Sequence, residues 1–204
     1  THKPAESPDE IAIVNTIIRE GEVELATPYK SYGIHPWYVE DVEKQMEQLR
    51  RCLARPESVA LGEAGLDKLA ITDWALQESV FCRQIMWSEE LRKPLIIHCV
   101  KAWPELIALK RRYNPVMPWI IHGFRGKKEL AAELVSHGFY LSFGAHFQPE
   151  ALQAAWPSRL FAETDEVEVS IREVYQQIAG ELRLPVDVVI SRLAENIESV
   201  FISL

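Results

Sequence analysis

The chain has 204 residues and a formal net charge of −8 at pH 7. This length suits a single domain, predicted here to span residues 1–204, and the acidic balance argues against a broad basic surface for coating nucleic acids. The three cysteines form an odd set without CxxC spacing, so we expect no disulfide framework and a reducing, cytoplasmic location. No apolar run reaches the roughly 18 residues that cross a bilayer, so we expect no membrane partner.

Short apolar runs rich in β-branched and aromatic residues predict buried strands. Helical patterns lie between most of these runs. One apolar stripe, which begins at Val42, predicts a helix that Asp41 could cap. Further helical patterns cover 71–92 and 127–136. The chain after about 168 is predicted to contain only helices, with Asn196 as a second possible cap. The predicted strands are 11–17, 31–35, 58–63, 94–98, 118–122, 139–144 and 159–164.

Strands that alternate with helices indicate a parallel sheet, and two architectures compete for this pattern. An open, doubly wound sheet usually carries a glycine-rich phosphate loop, and neither GxGxxG nor GxxxxGK[ST] occurs in the sequence. A closed (β/α)8 barrel instead places functional groups at the carboxyl ends of many strands. The barrel can therefore be tested by asking which residues end each predicted strand.

Five of the seven apolar runs deliver a histidine or a carboxylate to the same end of the predicted sheet. Imidazoles together with carboxylates are the ligand set for Zn²⁺, Mn²⁺ or Mg²⁺. No GxSxG, HExxH or cysteine–histidine protease signature occurs, so activated water is the expected nucleophile. The sequence therefore predicts a metal-dependent hydrolase with an α/β, (β/α)8 TIM-type barrel fold. The residues at the strand ends are His35, Glu63, His98, His122 and Asp165.

Several motifs resemble the TatD family of metal-dependent deoxyribonucleases. They are GIHPW (33–37), LGEAGLD (61–67), PLIIH (94–98), IHGF (121–124) and AETD (162–165), followed by ENIESVF (195–201). The resemblance covers nearly the whole chain. It implies a (β/α)8 barrel that uses divalent metals to hydrolyse phosphodiester bonds, commonly as a 3′-exonuclease on DNA.

The resemblance also implies residue roles and two divalent ions (Mg²⁺, Mn²⁺ or Zn²⁺). Glu63 would bridge both ions, and His98 and His122 would bind one of them. Asp165 would bind the other ion and help to deprotonate water, which makes Glu63 and Asp165 the catalytic pair. His2 resembles the second histidine of the family's HxH pair. The first strand is accordingly expected upstream of residue 1.

His35 is similar to a family residue that contacts the substrate phosphate, and Lys101 and Arg125 follow the histidine strands closely enough to hold flanking phosphates. Alternatively, Lys101 is simply a solvated residue at the start of a helix. Trp37 could stack a base or simply pack.

Two departures from the family pattern keep three functions open. Val100 stands where an arginine is usual, and Glu166 where a serine is usual. The protein could be a phosphodiesterase acting on DNA or another phosphodiester substrate. It could also be a hydrolase of a small ester, amide or phosphate, or a catalytically degenerate metal-binding barrel. No obligatory protein partner is evident.

Overall fold

The computed structural model describes residues 1, 7, 10–22, 25–165 and 167–202. These residues form two compact units, one within 2–118 and one made of Thr1 with 119–204. The prediction of one domain stays a prediction. Within the described part of the chain, no helix is both long enough and apolar enough to cross a membrane.

The first unit contains four strands that pair in parallel and in chain order. A short 3-10 turn, Pro36–Tyr38, follows the second strand. The strands are β1 (Val14–Ile17), β2 (Lys30–Gly33), β3 (Ser58–Asp67) and β4 (Leu95–Val100), and the helices are α1 (Val42–Leu53), α2 (Trp74–Glu90) and α3 (Trp103–Tyr113).

The predicted helix signals of this unit are confirmed. The Asp41 side chain accepts a hydrogen bond from the Lys44 amide at the start of α1, and the stripe residues Met46, Leu49 and Leu53 are buried. Helix α2 ends before Pro94, whose ring disfavours helical backbone in the preceding residue.

The second unit contains the remaining described strands, which also pair in parallel and in chain order. A capping box between Ser170 and Glu173 begins α6. The strands are β5 (Trp119–Ile121), β6 (Phe139–Phe143) and β7 (Leu160–Ala162), and the helices are α4 (Lys128–Ser136), α5 (Pro149–Ala155), α6 (Ile171–Leu182) and α7 (Val186–Ile197), with a π-helical turn over Glu198–Ile202.

Two details of the sequence prediction were wrong. Asn196 does not cap a helix but lies inside α7, where its side-chain amide donates to the Pro157 and Leu160 carbonyls at 2.9 Å each. Strand β3 does not end at Glu63 but continues to Asp67. It can continue because Gly65, opposite His98 in the register, has no Cβ to meet the β4 backbone.

Buried glutamine side chains hold the carboxyl ends of three strands in the first unit. Gln45 of α1 donates to the Ile18 carbonyl just after β1 at 2.7 Å. Gln84 of α2 bonds both the amide and the carbonyl of Ile34 just after β2, at 2.8 and 3.1 Å. Gln77 of α2 does the same for Asp67 at the end of β3, at 2.9 and 3.1 Å. These "glutamine clamps" fix the backbone from which candidate functional side chains project.

Replacing Gln84 by leucine is expected to lower the free energy of unfolding by about 3 kcal/mol, because two buried backbone groups of Ile34 lose their partners. The exposed Gln48 on α1 provides the matched control, since Gln48→Leu removes no buried bond. Urea denaturation of both variants measures the difference. Equal stability of the two would show that the Gln84 clamp contributes nothing.

Candidate metal centre

Three ligand-type side chains from neighbouring strands meet in the first unit. They are His35 after β2, Glu63 in β3 and His98 in β4, and one ligand atom of each lies within 4.8 Å of the others. His35 and Glu63 are buried. The Nδ1 atom of His35 accepts the Trp37 amide at 3.1 Å, so coordination of an ion through Nε2 keeps that bond. Imidazole and carboxylate donors in this arrangement fit a divalent metal ion.

A carboxylate that sequence reasoning missed holds the His98 ring. Asp67 is 1% exposed, and its Oδ2 accepts from His98 Nε2 at 3.0 Å and from the Trp37 indole nitrogen at 2.6 Å. Its Oδ1 accepts the Leu69 amide at 2.7 Å. Coordination of an ion by His98 through Nδ1 would leave this network intact.

The same bonds set the charge of Asp67. Burial alone would raise the pKa of this carboxyl, but the hydrogen bonds from His98, Trp37 and Leu69 outweigh burial and hold the pKa below its usual value. Asp67 therefore remains ionised at neutral pH. A carboxylate that orients a ligand histidine strengthens metal binding at many sites.

Asp67→Asn is expected to weaken divalent-metal binding about 10- to 100-fold, the usual cost of losing a carboxylate that orients a ligand histidine. Isothermal titration with Mn²⁺ or Zn²⁺ measures the change, and circular dichroism checks that the variant is folded. Asp73→Asn is the matched control, because Asp73 is an exposed cap of α2 and asparagine caps equally well. Unchanged affinity in Asp67→Asn would refute the orienting role.

The second unit brings together His122, Glu163 and Asp165, again with ligand atoms within 4.8 Å of one another. His122 directly follows β5, and the two carboxylates follow β7. Asp165 adopts a left-handed backbone conformation with φ of 52°. A non-glycine residue held in that region often marks a functional position.

Glu163 is the second carboxylate that sequence reasoning missed. Its Oε1 accepts the Gly123 amide at 2.7 Å and lies 3.4 Å from His122 Nδ1. Burial raises the pKa of the Glu163 carboxyl, but the charge and hydrogen bonding of the neighbouring His122, together with smaller contributions that include a hydrogen bond from Ser142, outweigh burial, so the net shift is downward. The group therefore contains two carboxylates and an imidazole, which also suits a divalent ion.

Strand alternation could have revealed one of the two missed residues. Asp67 lies four residues after Glu63 in the same strand, and residues at even spacing in a strand share a face. Glu163 lies after the end of β7 and Asp165 has a left-handed backbone, so alternation gives no such signal for that pair.

The remaining predicted site residues belong to neither group or lie outside the described residues. Lys101 directly follows β4, and Arg125 lies three residues after His122; both side chains are exposed. His2 and Glu166 lie outside the described residues. The joining of Glu63, His98, His122 and Asp165 in one centre stays a prediction, as do the roles of His35, Lys101 and Arg125 as substrate contacts.

Comparison with known proteins identifies the family. A family model described as TatD related DNase matches residues 16–202. The chain belongs to this family. The TatD motifs read from the sequence thus reflect common ancestry rather than chance similarity at strand ends.

Curated relatives within the TatD family match parts of the chain. An uncharacterized metal-dependent hydrolase, YcfH of Escherichia coli (strain K12), is 35% identical over 115 residues, which are 55% of this chain and 43% of the relative. A 3′-5′ ssDNA/RNA exonuclease TatD of Enterobacter lignolyticus (strain SCF1) is 29% identical over 170 residues, which are 75% of this chain and 65% of the relative. The chain therefore spans less than two thirds of the length of both relatives.

A solved TatD structure supports the fold class. The crystal structure of YJJV, a TatD homologue from Escherichia coli K12, superposes with a TM-score of 0.75 at 23% identity and covers 85% of this chain and 76% of that chain. The predicted α/β fold of TIM-barrel type is confirmed. The described residues contain seven parallel strands, with a helix between each consecutive pair from β2 to β7. The strand expected upstream of residue 1 stays a prediction.

Proposed function

We propose that this protein is a divalent-metal-dependent phosphodiesterase that removes nucleotides from the 3′ end of single-stranded DNA or RNA. The observation that carries the proposal is the pair of histidine–carboxylate groups in a chain of the TatD family. A relative named as a 3′-5′ ssDNA/RNA exonuclease supports the choice of substrate and polarity.

The donor sets suit two divalent ions. His35, Glu63 and His98 would hold an ion in the first unit, and His122, Glu163 and Asp165 in the second. When bound, such ions lower the pKa of water and neutralise charge on a phosphate under attack. They would also bring positive charge to a protein whose net charge is −8, which otherwise repels a polyanion.

The chain's own residues would orient the ligand histidines, accept a proton from water and bind the substrate. Asp67 and Glu163 hold the rings of His98 and His122 through the contacts described above. We assign Asp165 as the base whose carboxylate accepts a proton from the attacking water. A carboxylate positioned within reach of that water can act as a general base. Lys101 and Arg125, both exposed, would contact phosphates that flank the cleaved bond.

The proposal is tested with oligonucleotides labelled at either end. Single-stranded DNA and RNA are incubated with the protein and Mg²⁺, Mn²⁺ or Zn²⁺, and a small-ester panel runs in parallel. We expect metal-dependent shortening from the 3′ end that is lost in His98→Ala and in Asp165→Asn. His137→Ala, at the end of α4, is the control.

Three results would contradict the proposal. Nuclease activity that survives both His98→Ala and Asp165→Asn would remove the proposed site. Turnover of a small ester with no cleavage of any oligonucleotide would assign a small substrate instead, and metal binding without any turnover would favour a degenerate barrel.

A further inference from the structure

The Trp37 ring lies against the first group of candidate ligands and yet is 54% exposed. Its ring centroid is 5.0 Å from that of His35 and 5.5 Å from that of His98, with both pairs edge to face. The indole thus forms a rim directly beside buried ligand-type side chains. A substrate that reaches those side chains also reaches this ring.

The ring is fixed in place by its polar edge. The indole nitrogen donates to Asp67 Oδ2 at 2.6 Å, and the Trp37 amide donates to His35 Nδ1 at 3.1 Å. Trp37 also sits in the middle of the 3-10 turn that begins at the buried Pro36. A ring held in this way loses little rotational freedom when a ligand covers it, which lowers the entropic cost of binding.

The exposed indole face suits a flat partner. The neighbouring Tyr38 ring is already covered by the Arg19 guanidinium, 4.5 Å from its centroid. Among the side chains that the structure describes, no cationic group lies over the Trp37 ring. Every nucleobase has a π-face that stacks on an aromatic side chain, and an unpaired base offers that face without unwinding a duplex.

We propose that Trp37 is a stacking platform for an unpaired base of the nucleic-acid substrate, on one of the two nucleotides that flank the cleaved phosphate. The inference rests on the proposed function and specifies its substrate as single-stranded at the cut. Stacking on one aromatic ring changes affinity by about 10-fold, within a range of roughly 5- to 150-fold.

The test compares a natural oligonucleotide with two that carry an abasic nucleotide, at the 3′-terminal or the penultimate position. In the wild type, one abasic substrate is expected to show a kcat/KM about 10-fold lower than the natural one. Trp37→Ala should bring that ratio close to one. Trp37→Phe should retain most of the ratio, because a phenyl ring still stacks although its bond to Asp67 is lost.

Trp87→Ala is the matched control, since Trp87 is a partly exposed tryptophan of α2 that lies near the Arg50 guanidinium instead. It should keep the full ratio. If Trp37 served only to hold Asp67, Trp37→Ala and Trp37→Phe would lower cleavage of all three substrates alike and leave the ratio unchanged. That outcome would overturn the stacking proposal while the nuclease proposal stands.

Failure of the proposed function gives a different result. If the wild type cleaves no oligonucleotide, the stacking proposal is tested by calorimetry instead. The affinities of the protein for deoxyadenosine monophosphate and for deoxyribose 5-phosphate are compared. Tighter binding of the nucleotide by the wild type but not by Trp37→Ala supports the platform. Equal binding of both ligands by the wild type overturns it.

Discussion

Glu63→Gln is expected to lower kcat/KM for oligonucleotide cleavage by at least about 10³-fold. Glu63 is buried in β3, and its carboxylate belongs to the first group of candidate ligands. A neutral amide of the same shape removes one negative charge from that group. A loss of about 4 kcal/mol of transition-state stabilisation corresponds to a factor of roughly 10³ in rate.

Cleavage assays with purified protein at saturating Mn²⁺ measure the effect, and metal titration shows whether affinity falls with it. Glu181→Gln, an exposed change on α6, is the control for loss of one acidic charge. An active Glu63→Gln variant would show that this carboxylate is not part of the catalytic site.

Gly65→Ala is expected to unfold the protein or lower its free energy of unfolding by about 4 kcal/mol or more. A Cβ at this position would lie 1.9 Å from the His98 carbonyl oxygen, and the residue has φ of +155°. The clash is with backbone, so neither strand can relieve it by turning a side chain. Costs of this size belong to the rare, severe class of single substitutions.

Gly180→Ala, the same substitution at another position, is expected to raise the free energy of unfolding rather than lower it. No atom lies within 4 Å of a Cβ built at Gly180 in helix α6, so alanine should stabilise by up to about 1 kcal/mol through its higher helix propensity. Thermal or urea unfolding of both variants checks the pair. A folded Gly65→Ala protein of normal stability would mean that β3 and β4 do not approach as closely as described.

The strands and the first ligand candidates were predictable because their signals are local. A run such as PLIIH is apolar, β-branched and preceded by a proline, so His98 follows from a pattern read within a few residues. His35, His122 and Asp165 follow in the same way from the ends of their own runs. Each prediction needed no knowledge of which strands are neighbours.

The roles of Asp67 and Glu163 could not be predicted because they depend on pairs distant in the chain. The His98 bond to Asp67 joins residues 31 positions apart, and the Gly123 bond to Glu163 joins residues 40 apart. Alternation places Asp67 on the face of Glu63, but only the fold shows which histidine each of the two carboxylates meets. The prediction for Asn196 failed for the same reason, since its partners at and just before the start of β7 are more than 30 residues away.

The glutamine clamps connect the candidate metal ligands of the first unit to its helices. Through Gln77 and Gln84, helix α2 fixes the backbone of Asp67 and of Ile34. Ile34 directly precedes His35. Helix α2 therefore cannot be exchanged for a foreign helix of equal apolar pattern without loosening two strand ends. Chimeras that transplant α2 together with β2 and β3 should retain metal binding, whereas chimeras that swap the helix alone should fold more loosely and bind metal less well.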